Sequence, residues 1–232
     1  MIVLEDGHAG AAFHSMIKLA YAIETENDDE IIRALAYFAS EYLPLPVTEH
    51  SVAISDMEDA FSKVMSDVYY HNFKPIPGLI TTRLLSVIED QHFVTLHFKL
   101  EGDVESQYKA MASYAVKEFL RTGDFLELHT ITALHAMDVL KPYFNDFTKV
   151  MQTYVTAYIG SLLTIKTRDN GVMTHITRVK EWDDALYYIK QTMDVHTIKF
   201  LYTCRELDKK YCLDTLMTAV NIRFGQDKMI NR

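Results

Sequence analysis

Asn27-Asp28-Asp29-Glu30-Ile31-Ile32-Arg33-Ala34-Leu35-Ala36-Tyr37-Phe38 is a complete helix written in sequence. Asn27 followed three residues later by Glu30 has the spacing of a capping box, which satisfies the first free backbone N–H groups of a helix. Ile31, Leu35 and Phe38 then recur at i, i+4 and i+7 as a buried stripe, and Pro44 and Pro46 end the segment. The same grammar runs in both directions. Upstream, over Ala9 to Glu24, Phe13, Met16, Ile17 and Ala20 recur at helical spacing while Ser15 and Lys18 face away. Downstream, a helix opens at Ser55 with Glu58 three residues on, burying Met57, Phe61, Val64 and Val68. The loop Asn72-Phe73-Lys74-Pro75-Ile76-Pro77-Gly78 is the clearest punctuation in the chain, and the helical pattern resumes at Leu79.

Further helices are expected over Asp103 to Arg121, Phe125 to Leu140, Asn145 to Lys166, Lys180 to Met193, Val195 to Lys210 and Cys212 to Phe224. The Arg168-Asp169-Asn170-Gly171 turn separates two of them. His92 to Phe98 alternates like a strand but has no evident partner, and is assigned to helix. The expectation is an all-α, bundle-like single domain spanning residues 1–232, of about nine helices.

Composition narrows function. The 232 residues carry a formal charge of -9 without a basic cluster, which argues against a nucleic-acid backbone as partner. Met1 to Asp6 has no basic n-region, and the apolar run from Val155 to Ile165 is too short for a membrane span. Cys204 and Cys212, without C-x-x-C spacing, suit a reduced cytoplasmic protein.

The candidate chemistry lies in histidines. In Asp194-Val195-His196-Thr197-Ile198-Lys199-Phe200, His196 and Lys199 share one helical face with Phe200, Thr203 and Leu207. Imidazole is a versatile metal ligand, and a desolvated lysine has a lowered amine pKa. His129 shares its stripe with small residues, Ala133 and Ala136, whereas His135 lies nearer a polar flank. His14 lies at the edge of the first helix's apolar face. No two histidines stand at i, i+4, so a metal site would converge from several helices. Glu5-x-x-His8 and Glu89-x-x-His92 match di-iron carboxylate spacing, but two further inward carboxylates are not apparent. No phosphate-binding glycine loop or nucleophile elbow is present.

Five segments, in order, carry a resemblance. Gly10-Ala11-Ala12-Phe13-His14-Ser15-Met16-Ile17-Lys18-Leu19-Ala20-Tyr21-Ala22 resembles the G-A-A-F-H-x-x-I-R-x-A-Y-A helix of the questin oxidase-like proteins. Ala34 to Ala39 with Tyr42 resembles that family's next helix, and Phe73 to Ile80 its P-G-L-I-T loop. Leu128 to Ala133 resembles its H-x-V-T helix, and Asp194 to Lys199 its D-x-H-x-x-K motif. The resemblance runs from about Gly10 to Cys212.

What it implies is a metal-dependent oxidoreductase that oxygenates or cleaves the ring of an aromatic polyketide or quinone-type substrate. Some relatives are described as NADPH-using Baeyer–Villiger-type oxidases, others as mononuclear iron enzymes. Carried over residue by residue, His14, His129 and His196 would ligate iron, and Lys199 would be a carboxylated ligand. A neutral amine takes up carbon dioxide, and the carbamate offers the metal an anionic oxygen. His196 and Lys199 would then be the catalytic pair. The family also carries an N-terminal Asn-x-His-type segment that gives another ligand, whereas this sequence starts just before Phe13-His14. A homodimer or a separate N-terminal partner chain is therefore expected, the alternative being an inactive or split member that serves as a helical interaction module.

Overall fold

The computed structural model describes residues 5–45, 51–93, 96–165 and 178–227. The chain is 70% helical and all-α in architecture. Among the described residues there are eleven α-helices, against the nine expected. Packing divides the chain into two compact units, one of residues 1–111 and 136–167, the other of 112–135 and 168–232.

Unit 1 begins with Ala11, Ala12 and Phe13 in left-handed conformation, at φ 49°, 55° and 69°. Helix α1 (His14–Glu24) follows and packs against α2 (Asp28–Ser40). The expected cap is present, because Asn27 Oδ1 accepts the Glu30 N–H at 3.2 Å. Phe38 is buried, but Ile31 and Leu35 are only half-buried.

The segment expected as one helix from Ser55 to Val68 is two. Helix α3 (Met57–Ser66) is capped by Asp56 rather than Ser55, with Asp56 Oδ1 accepting the Asp59 N–H at 2.8 Å. Asp67 then turns extended and caps α4 (Val68–Asn72) by accepting the Tyr69 N–H at 2.7 Å. That break puts Val68 at the surface, 75% exposed, instead of in the stripe. The Asn72 to Gly78 loop is a connection, and α5 (Ile80–Ile88) starts where the pattern resumes.

The helix assigned to His92 to Phe98 is a correction. Phe93 closes a turn onto the Asp90 carbonyl, and strand β2 (Phe98–Leu100) pairs in parallel with β1 (Val52–Ile54). Of the alternating stretch only Phe98 lies in the strand, which continues to Leu100 and whose three-residue partner is more than forty residues away in the chain. Both strands are short, so the pair adds a clip to unit 1 rather than a sheet layer.

Two helices cross from one unit to the other: α6 (Val104–Thr122) and α7 (Phe125–Leu140). Gly123, at φ 58°, turns the chain between them and donates its N–H to the Phe119 carbonyl, a left-handed cap suited to glycine. After a 3₁₀ turn at Lys141–Tyr143, α8 (Phe147–Ile165) forms the centre of unit 1. It is buried on nearly every face from Val150 onward and packs against α3, α5 and β2. Three of its polar residues bond to preceding carbonyls: Thr156 to Gln152, Ser161 to Ala157 and Thr164 to Ser161. Among the described residues no helix is long and apolar enough to cross a membrane. The Arg168–Gly171 turn lies outside the described residues.

Unit 2 is completed by α9 (Trp182–Ile189), α10 (Val195–Tyr211) and α11 (Leu216–Gln226). Helix α10 packs on α9 and α11. Asn221 of α11 bridges to the backbone of Val179, accepting its N–H and donating to its carbonyl. Cys204, on α10, is fully buried and Cys212 is exposed.

Candidate functional site

The N-terminus of α10 is built by Asp194. Its carboxylate accepts the backbone N–H of His196 at 2.9 Å and the Thr197 hydroxyl at 3.0 Å. An Asp just before a helix satisfies otherwise unpaired N–H groups and meets the positive end of the helix dipole. Arg223 of α11 completes the arrangement, pairing with Asp194 and donating through Nε to the Thr197 hydroxyl at 3.0 Å. Behind it, the Thr192 hydroxyl donates to Asp227 at 2.5 Å and accepts the Asp194 N–H at 3.0 Å. Partial burial pushes the Asp194 carboxyl up, but the His196 N–H, the Arg223 charge and the Thr197 hydroxyl hold it below the ordinary carboxylate value.

Two of the expected ligands meet here. The rings of His129, on α7, and His196 lie 5.3 Å apart between centroids, inclined at 60°. Phe125 stands edge-on to both, 4.7 Å from each, and the Arg223 guanidinium lies 5.8 Å from the Phe125 ring centre. His129 is almost wholly buried, and His196 half-buried.

The hydrogen bonds set the tautomers. His129 Nδ1 lies 2.6 Å from the Phe125 carbonyl, which can only accept, so Nδ1 carries the proton and Nε2 the lone pair. His196 Nδ1 lies 3.3 Å from the Asp194 carboxylate, with the same consequence. In unit 1, His14 follows this rule too, its Nδ1 2.7 Å from the Ala11 carbonyl in the left-handed turn before α1. Imidazole Nδ1–H held by a carbonyl or carboxylate, with Nε2 turned elsewhere, is how proteins orient metal-binding histidines. The donor set suits a borderline metal such as iron or zinc.

Lys199 follows His196 by one turn on α10 and is half-buried. The stripe expected beside it holds, with Phe200, Thr203 and Leu207 buried. His135 departs from the reading of its flank as polar: it is buried, with its ring edge against Tyr202 at 5.2 Å. The di-iron spacings have other uses. Glu5 accepts the backbone N–H groups of Asn145 and Asp146 at 2.8 and 2.9 Å, just before α8, while buried His8 meets Phe144 edge-on. Glu89 is exposed, and His92 stacks on Tyr69 at the surface.

Asp194 was visible in sequence as an Asp preceding a periodic run, a capping signal. Phe125 stands one helical turn before His129, a spacing legible in the sequence; Arg223 and Asp227 had no comparable signal, since only folding brings them to Asp194 and Thr192. In comparison with known proteins, no family model and no curated protein matches the chain.

Proposed function

We propose that the chain is a questin oxidase-like, metal-dependent oxygenase whose iron is held by His14, His129 and His196, with Lys199 as a carboxylated fourth ligand. The observation that supports this reading is the shared hydrogen-bonding of the three imidazoles, each with Nδ1 on an oxygen acceptor, which puts the lone pair of the neutral ring on Nε2. Iron, when bound, supplies the electron-transfer chemistry needed for oxygen to react with a quinone-type aromatic ring, with NADPH as the reductant where one oxygen atom leaves as water. The protein's own residues do the rest. Asp194 orients His196 and fixes its tautomer, and Arg223 holds Asp194 ionised. Phe125 shields one side of the imidazole pair from water and offers an apolar edge to an aromatic substrate. The Lys199 amine, neutral when desolvated, adds carbon dioxide and loses a proton to become an anionic oxygen donor.

The test is elemental analysis of protein purified anaerobically with iron supplied. Roughly one iron per chain is expected in the parent, lost in His129→Ala and His196→Ala, because each removes a donor from a single site. Parent protein without metal, or metal retained in both variants, would remove the iron reading. A second reading, a metal-free helical binding module in a cytoplasmic complex, draws support from an open apolar cavity in unit 1. It predicts a stable complex with a partner chain that survives chelation.

A further inference from the structure

We propose that unit 1 carries a separate binding site for a small amphiphilic cation: an apolar body with an ammonium or quaternary-ammonium head. A cavity of about 450 Å³ opens between α1, α2 and the turn after α7. Its walls are Leu19 and Ile23 of α1, Ile31 and Leu35 of α2, and Leu140 and Phe144. That volume falls within the range of about 300–1,000 Å³ typical of small-molecule sites. The stripe Ile31–Leu35–Phe38 should be buried by its pattern, yet Ile31 and Leu35 remain half-exposed because they face this space. Leu19 and Ile23 follow His14 by five and nine residues, about 140° and 180° round the helix, so the cavity lies on the face of α1 turned from His14. The proposal is therefore independent of the iron reading.

The head group is chosen by the rim. Glu26 and Asp28 line the mouth, and neither has a basic partner among the described residues. They belong to the run Glu24-Thr25-Glu26-Asn27-Asp28-Asp29-Glu30, which places five carboxylates within seven residues. Such a field repels a fatty acid or phosphate and attracts a cation. Tyr143, 66% exposed, adds an aromatic face at the same mouth, the other element of ammonium recognition.

The experiment is isothermal titration of the full chain with octyltrimethylammonium, octanoate and octanol, each below micelle formation. The cation should bind about tenfold more tightly than octanol, as expected when a cation–aromatic contact and partly screened carboxylates act together, and octanoate more weakly than octanol. The preference should shrink several-fold in the double variant Glu26→Gln, Asp28→Asn, which removes the two carboxylates at the mouth and leaves the Tyr143 contact; both positions are exposed, so the fold is left intact. Leu35→Trp, which fills the cavity, should abolish binding of all three. Equal binding of cation and octanoate, a preference unchanged in the double variant, or no binding by the folded parent would each overturn the proposal. So would sedimentation showing a dimer that Ile31→Asp dissociates, since a second copy would then own the cavity.

Discussion

Asp194 serves several neighbours with one carboxylate: the His196 N–H in the first turn of α10, the Thr197 hydroxyl, the Arg223 guanidinium and the His196 ring. Asp194→Asn keeps the shape but removes the charge. If the proposed iron site is correct, it should weaken metal binding about 10- to 100-fold, the usual effect of losing a residue that orients a ligand histidine, as read by competition with a chelator. The same carboxylate sets a pH dependence. Its folded-state pKa lies below the ordinary carboxylate value, so its contribution to stability is present above that ordinary value and is lost as pH falls through the lower folded one. Acid titration of thermal stability should therefore fall less steeply below about pH 4 in Asp194→Asn than in the parent.

At the scale of elements, the backbone before α1 bears the tightest constraints. A Cβ on Gly10 would lie 2.0 Å from the Glu41 carbonyl oxygen, a main-chain atom that no rotamer change can move. Gly10→Ala should cost at least about 2 kcal/mol in urea unfolding, in line with overpacking elsewhere. Ala12, two residues on, is left-handed at φ 55°, a conformation costing about 1–2 kcal/mol for residues with a Cβ. Ala12→Gly should therefore be neutral or mildly stabilising, because relief of strain offsets glycine's entropy cost, whereas Ala12→Val should be strongly destabilising. At the next helix, Asn27→Ala removes the cap on the Glu30 N–H and should cost about 1 kcal/mol.

For the molecule as a whole, the two cysteines report how the fold opens. Burial pushes the Cys204 thiol far above its ordinary pKa, with the Asp208 charge adding to the effect, while Cys212 is exposed at the end of α10. Iodoacetamide should label Cys212 alone in the native protein at neutral pH, and both thiols in denaturant. Labelling of Cys204 should track opening of α10 and slow as the protein is stabilised. Comparable native rates at both positions would contradict the burial of this helix.

The all-α class, the capped α2, the break before Leu79 and the apolar face of α10 were legible because each rests on interactions within a few residues. Caps act over three positions and helical stripes over seven, so the sequence displays them directly. His129 and His196 could be singled out by residue type and apolar company. Their approach to 5.3 Å, with Phe125 edge-on to both and Arg223 locking Asp194, depends on α7, α10 and α11 packing together. Likewise, the β1–β2 pair and the half-exposed Ile31 and Leu35 were decided by partners distant in the chain. Local chemistry chose the helices; long-range packing decided which faces are covered and which side chains meet, because those contacts have no fixed sequence spacing.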